Sequence, residues 1–425
     1  MSVVHAGARV GEPYRRFLAR LREVRGQGVQ FGLERVRLAL ARLGSPERRV
    51  PALHIAGTNG KGSVAAMTDS ILRRAGFRTG LFTSPHLVRF TERIRLGGVE
   101  IDGDRLAKLD EAVAATQVPL TFFEIATVLA FLAFAEAKVE VAVLETGLGG
   151  RLDATSVCHP LACAISSIAL DHQAILGHTI AQIAVEKAGI ARPGVPLFLG
   201  PVAREAEAAV AESAGRMGAS LRRAGVDYPA APSRPSLAGA HQLANAALAV
   251  ALARTAGETL GRPVAAADVL AGLAEVCWPG RLERVGGDVL LDCAHNVEGA
   301  QALAANLPEA AWRVLVASIV RDKDAAAMLA ALAPCFDRVL VTRSSSERAL
   351  APEELAPLVE RTRGGNRRVA CVEDPVAALD EARREVAAAP SGLVVVAGSI
   401  FLVGALRAHL MGQSGGVTEA SDPLP

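Results

Sequence analysis

Strand-like apolar runs alternate with helical stretches along nearly the whole chain, and this alternation restricts the fold more than any other feature. PALHIAG (51–57) passes through a glycine-rich turn into VAAMTDSILRRAG (64–76). EVAVLETG (140–147) follows the helical IATVLAFLAFAEA, and LACAISSIAL (161–170) precedes TIAQIAVEKAGI. DVLLDCAHN (288–296), WRVLVASI (312–319), RVLVTR (338–343) and LVVVAG (393–398) form a second set, interleaved with helical text. Such a pattern predicts an α/β fold built on mostly parallel sheets. Two sets of strands predict two domains, 1–279 and 280–425, with the break in the Pro- and Gly-containing CWPGRLERVGGD (277–288). The first is expected to resemble a phosphate-loop ATPase, the second to be a smaller Rossmann-like α/β domain. DYPAAPSRPSLAG (227–239) reads as a surface loop of the first domain, and residues 412–425 as a polar, disordered tail.

Composition removes several function classes. Hydrophobic residues make up 51% of the 425, enough for large cores. Lys and Arg number 46 against 44 Asp and Glu, a net charge of +2. That balance argues against a general nucleic-acid binder, and an aromatic content of 4% argues against base-stacking platforms. Six cysteines form no C-x-x-C pair and read as buried thiols of a reducing cytoplasm. The basic N-terminus has no apolar stretch of secretory type. Residues 386–406 carry no charge, but Pro390, Gly392, Gly398 and Gly404 interrupt them, so they read as strand and helix rather than a membrane span.

Open α/β sheets bind ligands at the carboxyl ends of their strands, and the polar motifs sit there. His54–Ser63 (HIAGTNGKGS) carries a strand into three glycines, Lys61 and Ser63, and then a helix. Glycines let backbone N–H groups turn onto a phosphate, while the helix N-terminus and Lys61 supply positive charge. The spacing departs from the standard phosphate-loop pattern. Glu145 ends a strand and reads as a Mg²⁺ ligand or as a capping or salt-bridged carboxylate. Asp171 and His172 end AISSIAL as ligand, base or core residues. Ser84, in LFTSPHL, could reach a metal or cap a helix. Lys187, on a helix, reads as a solvated charge. Asp292 and His295 follow DVLLD, and Ser399 follows LVVVAG.

Taken together, the motifs resemble the folylpolyglutamate synthase/dihydrofolate synthase family of Mur-related amide ligases. The matching text includes GTNGKGS (57–63), TSPHL (83–87), FTERIR (90–95), FFE (122–124) and ETGLGGRLDAT (145–155). It continues through LDH (170–172), EKAGI (186–190), HQLANA (241–246), PGR (279–281), DCAHN (292–296) and RDKD (321–324). Departures are Val297 for a frequent proline, Ser156 for a frequent asparagine, and a missing glycine before RDKD. The resemblance implies a ligase adding L-glutamate to dihydropteroate or to the γ-carboxylate of a folate through an acyl phosphate, with ATP and two Mg²⁺ ions and allowance for a monovalent cation. It implies that Gly57, Thr58, Asn59, Gly60, Lys61, Gly62 and Ser63 cradle the ATP phosphates. Ser84 and Glu145 would hold one Mg²⁺. Glu145 and His172 would hold the other, beside a carbamylated Lys187. Asn245, Arg281 and Asp292 match nucleotide contacts. Phe122, Phe123, Glu124, Leu152, Asp153 and Ala154 match a pterin-side pocket, and His295 and Ser399 match positions near the incoming glutamate. A cytoplasmic monomer acting on small molecules, with no nucleic-acid or membrane partner, is expected. Rival readings are a Mur-type peptidoglycan-precursor ligase, against which FFE and RLDAT weigh, and a nucleotide-hydrolysing switch or motor.

Overall fold

A computed structural model describes residues 11–25, 30, 32–363 and 368–413. The polar tail from 414 and the first ten residues, on which the sequence reading also drew, lie outside the described residues. The described chain forms two compact units. One comprises 11–236 with 241–277, the other 278–413 with 237–240. The last three residues of the Pro-rich stretch, with Ala240, thus group with the second unit, and Tyr228 near its start is buried, its hydroxyl donating to Leu199 O at 2.8 Å.

The first unit is built on an eight-stranded sheet ordered β4-β3-β2-β5-β1-β6-β7-β8. Its strands are β1 Ala52–Ala56, β2 Thr79–Phe82, β3 Ile94–Leu96, β4 Val99–Glu100, β5 Val141–Glu145, β6 Pro160–Ile165, β7 Pro196–Leu199 and β8 Ser220–Arg223. β2, β5, β1, β6, β7 and β8 run parallel, and β3 and β4 close one edge as an antiparallel ribbon. Every residue of β1 and β5 is buried, as expected of parallel strands covered on both faces. Helix Phe122–Glu136 is almost wholly apolar and buried; Thr121 and Glu124 start it as a capping box.

The second unit carries a six-stranded sheet ordered β13-β12-β11-β14-β10-β9. These strands are β9 Glu283–Val285, β10 Val289–Leu291, β11 Trp312–Ala317, β12 Arg338–Val341, β13 Arg368–Cys371 and β14 Gly392–Ala397. All pairs are parallel except β10 with β9. The uncharged 386–406 stretch resolves into the end of one helix, β14 and the start of helix Ile400–Leu410. No helix among the described residues is long and apolar enough to cross a membrane.

Two boundaries differ from expectation. LACAISSIAL stops being a strand at Ile165, because Ser166 and Ser167 turn to the phosphate loop and donate to Asn59 O at 2.6 and 3.2 Å. The helix after that loop starts at Lys61, three residues before the apolar VAAM text, because Gly60 caps it with a left-handed backbone, φ 84°.

Candidate active site

In the first sheet β1 is central, flanked by β5 and β6, while the chain leaving it crosses over β5 to reach β2. Connections therefore diverge at the carboxyl end of β1, the place where open α/β sheets form their binding crevice. Gly57–Gly60 occupies that place. Gly57 has φ 153°, and a Cβ there would meet Ser166 Oγ at 2.0 Å, so no other residue fits without displacing the neighbouring strand end. The loop is pinned from β6: Thr58 N donates to Ser167 O (2.9 Å) and Asn59 N to Ser167 Oγ (3.0 Å). Its far side lies against Asn245, which is in turn held by Gln242. Asn245 Nδ2 donates to Gln242 Oε1 at 2.9 Å, and Gln242 Nε2 donates to Ser63 Oγ at 3.3 Å. Gln242, buried between loop helix and nucleotide-side asparagine, is a site residue that sequence reasoning missed. It stands three residues before Asn245 in HQLANA, one helical turn away, which was the available signal.

Two lysines converge on one carbonyl. Lys61 Nζ donates to Gly57 O (3.0 Å) and Thr58 O (3.2 Å), and Lys187 Nζ donates to Gly57 O at 2.8 Å. Lys187 is therefore not the solvated helix lysine that its sequence context suggested. It is 3% exposed, because the last turn of helix Ile180–Ala188 packs beneath the loop. Burial, with the Lys61 charge beside it, lowers its pKa from 10.5 to about 7. The neutral, nucleophilic amine is thereby favoured far more than in a solvated lysine.

Glu145 ends β5 in register with Ile55 of β1, buried, with its Oε2 accepting the backbone N–H of Ser84 at 3.2 Å. Ser84 and Glu145 are thus brought together. Asp171 and His172 do not end a strand; they lie in the loop beyond Ile165, where His172 (φ 50°) precedes the short helix Gln173–Leu176. His172 N donates to Asp171 Oδ1 at 2.9 Å. Among the described residues no three carboxylates, imidazoles or thiols form a ready-made cage. Hard oxygens beside a phosphate loop nevertheless suit Mg²⁺, which binds through one or two carboxylates, phosphate oxygens and retained waters.

Of the residues expected on a pterin side, Phe122 is fully enclosed, edge-on to Phe90 at 5.7 Å. Phe123 is half-buried against Gly147, 5.8 Å from Phe82. The Glu124 carboxylate is committed to its capping box and to Arg35, at 2.9 and 3.2 Å. Leu152 is half-buried and Ala154 buried. Burial raises the pKa of Asp153 above the usual carboxylate range, while bonds from its own loop oppose the rise.

In the second unit Asp292, after β10, accepts from Leu282 N and Ala294 N, each at 2.9 Å, and so ties the Pro279–Arg281 turn to the strand end. Arg281 lies beside Cys293 and donates to Gly280 O at 3.2 Å. His295 Nδ1 donates to Cys293 O at 2.8 Å. Ser399, 2% exposed, caps the helix after β14 by accepting from Phe401 N at 3.2 Å. Asp292 and Ser399 thus stand at the carboxyl ends of the adjacent strands β10 and β14.

A glycine-lined loop lies at the switch point of one parallel sheet, and residues 280–400, in the second α/β unit, match the family "Mur ligase, glutamate ligase domain". The dihydrofolate synthase/folylpolyglutamate synthase of Mycobacterium tuberculosis is 37% identical over 439 residues, covering 89% of this chain and 90% of that one. A probable bifunctional folylpolyglutamate synthase/dihydropteroate synthase of Haloferax volcanii is 38% identical over 89% of this chain, which spans 48% of that longer protein. The folylpolyglutamate synthase of M. tuberculosis, solved with ADP and AMPPCP, superposes with a TM-score of 0.84 at 34% identity, covering 93% and 99% of the two chains. The bifunctional folylpolyglutamate synthase/dihydrofolate synthase of Yersinia pestis, solved with AMPPNP and a Mn ion, gives 0.83 at 30% identity over 95% and 100%. The chain belongs to the folylpolyglutamate synthase/dihydrofolate synthase family.

Proposed function

We propose that this chain is an ATP-dependent ligase that joins the amine of L-glutamate to dihydropteroate, to the γ-carboxylate of a folate, or to both. The observation that carries the reading is the phosphate-shaped loop at the carboxyl end of β1, with the Lys61 ammonium and the Glu145 carboxylate beside it. The substrate carboxylate attacks the γ-phosphorus, its P–O bond to ADP breaks, and an acyl phosphate forms. The neutral glutamate amine then attacks the acyl carbon, a C–N bond forms, phosphate leaves with the C–O bonding pair, and the surplus proton on nitrogen passes to the departing phosphate. The first step drives an anion against a polyanion, so its barrier falls with positive charge fixed at the transferring group. Lys61 and the loop N–H groups supply that charge from this chain. Mg²⁺, when bound, neutralises phosphate charge and aligns the phosphates.

Residues 1–279 serve as the ATP-binding domain and 280–425 as the glutamate-ligase domain. Ser84 and Glu145 would hold one Mg²⁺, and Glu145, His172 and a carbamylated Lys187 would hold a second, with room in the proposal for a monovalent cation. Lys187 suits carbamate formation because a buried amine biased toward its neutral form can add CO₂ and release a proton. Asn245, Arg281 and Asp292 serve the nucleotide, and His295 and Ser399 the glutamate. Phe123, Leu152 and Ala154 line the pterin side, with Phe122, Glu124 and Asp153 shaping it from behind. The enzyme works as a cytoplasmic monomer, in keeping with six unpaired cysteines, two of them exposed. Folate-named relatives across most of the chain favour this reading over a peptidoglycan-precursor ligase. The test is incubation of the purified protein with ATP, Mg²⁺, glutamate and either dihydropteroate or tetrahydrofolate, with product masses recorded. A product heavier by one glutamyl residue is expected with at least one acceptor; ATP hydrolysis without any such product refutes the proposal.

A further inference from the structure

His54 opens the HIAGTNGKGS motif, yet it takes no part in the phosphate loop. It lies midway along β1, between Leu53 and Ile55, in register with Leu144 on one side and Cys163 on the other, and is completely buried. An imidazole in so apolar a strand costs desolvation unless it is hydrogen-bonded. Its one bond reaches 101 residues along the chain: Nε2 lies 2.7 Å from Thr155 Oγ1. Thr155 Oγ1 lies 2.5 Å from Asp153 Oδ1, which also accepts Thr155 N at 3.0 Å. Asp153 Oδ2 accepts Gly147 N at 2.8 Å and Leu148 N at 2.9 Å. The four acceptor positions of the carboxylate are thereby filled by its own loop.

The direction of this chain of bonds is fixed by its short end. Three backbone N–H groups aimed at the Asp153 carboxylate favour its ionised form against burial, so the proton between its Oδ1 and Thr155 Oγ1, 2.5 Å apart, is the threonine's. The hydroxyl oxygen must then accept from His54, so the imidazole carries its proton on Nε2. Nδ1, which has no hydrogen-bond partner among the described residues, is accordingly the bare acceptor. Burial, with the Arg192 guanidinium nearby, lowers the His54 pKa to about 3, so the ring stays neutral over the working range of an enzyme.

We infer that His54 is a positioning residue for the pterin-side substrate: through Thr155 and Asp153 it holds the 147–155 loop in its binding conformation. The inference rests on the proposed assignment of Leu152 and Ala154 to that pocket. A neutral donor on a fully buried inner strand of the sheet orients one hydroxyl, which orients one carboxylate, which gathers the N–H groups of Gly147, Leu148 and Thr155. Leucine at 54 would fill the space and remove the donor. Glutamine would keep an N–H near the position of Nε2.

The experiment compares wild type with His54→Leu, His54→Gln and Thr155→Val. Two readouts are taken: amide hydrogen exchange of residues 147–155 in the ligand-free protein, and KM for dihydropteroate and for ATP. His54→Leu and Thr155→Val are expected to speed exchange in the loop and to raise the pterin KM roughly tenfold, with the ATP KM unchanged. His54→Gln is expected to restore both readouts most of the way. Unchanged loop exchange, parallel rises in both KM values, or no rescue by glutamine overturns the inference. Should His54→Leu fail to fold, Thr155→Val breaks the same relay one bond later and decides the matter. Should wild type ligate neither acceptor, the proposed function fails, while the exchange data still judge the role of His54.

Discussion

Replacing Lys187 with methionine should make the protein more stable and less active at once. The ammonium of Lys187 is held 97% out of solvent, since only 3% of the residue is exposed. Its pKa near 7, against an ordinary 10.5, corresponds to a cost on the order of 5 kcal/mol for keeping it charged in the fold. Against this stands the hydrogen bond to Gly57 O, worth about 1–3 kcal/mol, and that carbonyl keeps the Lys61 donor at 3.0 Å when Lys187 is removed. Methionine fills similar volume with no charge, so a net gain of roughly 3 kcal/mol is expected below pH 7. The sign of the pH dependence follows. Between about pH 7 and 10.5 the unfolded chain binds the lysine proton and the folded chain does not, so wild-type stability rises with pH through that window. The advantage of Lys187→Met should therefore be full below pH 7, fall by about 1.4 kcal/mol per pH unit above it, cross zero at about pH 9, and favour the wild type by about pH 10. Urea denaturation of both proteins in CO₂-free buffer at pH 6, 8 and 10 measures it, and the ligation assay records the expected loss of most activity, with partial restoration of Lys187→Ala by short carboxylates. A stability gap that is flat in pH, or a methionine variant that is the weaker protein at pH 6, refutes the reasoning; full activity in the variants returns Lys187 to a structural role.

Lys61→Ala should abolish ligation while leaving the thermal transition within about 2 °C of wild type, because the residue is half-buried and its ammonium bonds to the loop carbonyls of Gly57 and Thr58. Glu145→Gln keeps size and hydrogen-bonding capacity but removes the charge, so turnover should fall at least ~100-fold with partial recovery at high Mg²⁺, and a Mg²⁺ titration that overlays wild type would count against a metal role.

Much of the fold was legible because parallel strands covered on both faces must be continuously apolar, and β1, β5, β11 and β14 announce themselves that way. The phosphate loop was legible for a related reason: glycines, Lys61 and a helix start are local in sequence. What escaped was fixed by distant partners. The burial of Lys187 depends on how helix Ile180–Ala188 docks under a loop 130 residues earlier. Gln242 acquires its role from Ser63, 179 residues away. The strand boundary at Ile165 was misjudged because Ser166 and Ser167 look like strand residues until the loop they serve is in place. Phe122 and Glu124, which their motif groups with a pocket, pack against Phe90 and Arg35, neighbours that no local pattern reveals.

The shared carbonyl of Gly57 bears on how fast the protein can begin a turnover. Two lysine amines are parked on one backbone oxygen before any nucleotide arrives, and the charge of Lys61 presses against any proton that Lys187 still holds. A triphosphate entering this cradle does not have to organise it. Binding becomes an exchange of partners, in which the incoming anion takes over a cation from the peptide backbone and relieves a repulsion already present. The entropic toll of ordering was settled when the chain folded, so nucleotide capture should run near the rate of encounter, and the slow steps of the cycle should lie elsewhere.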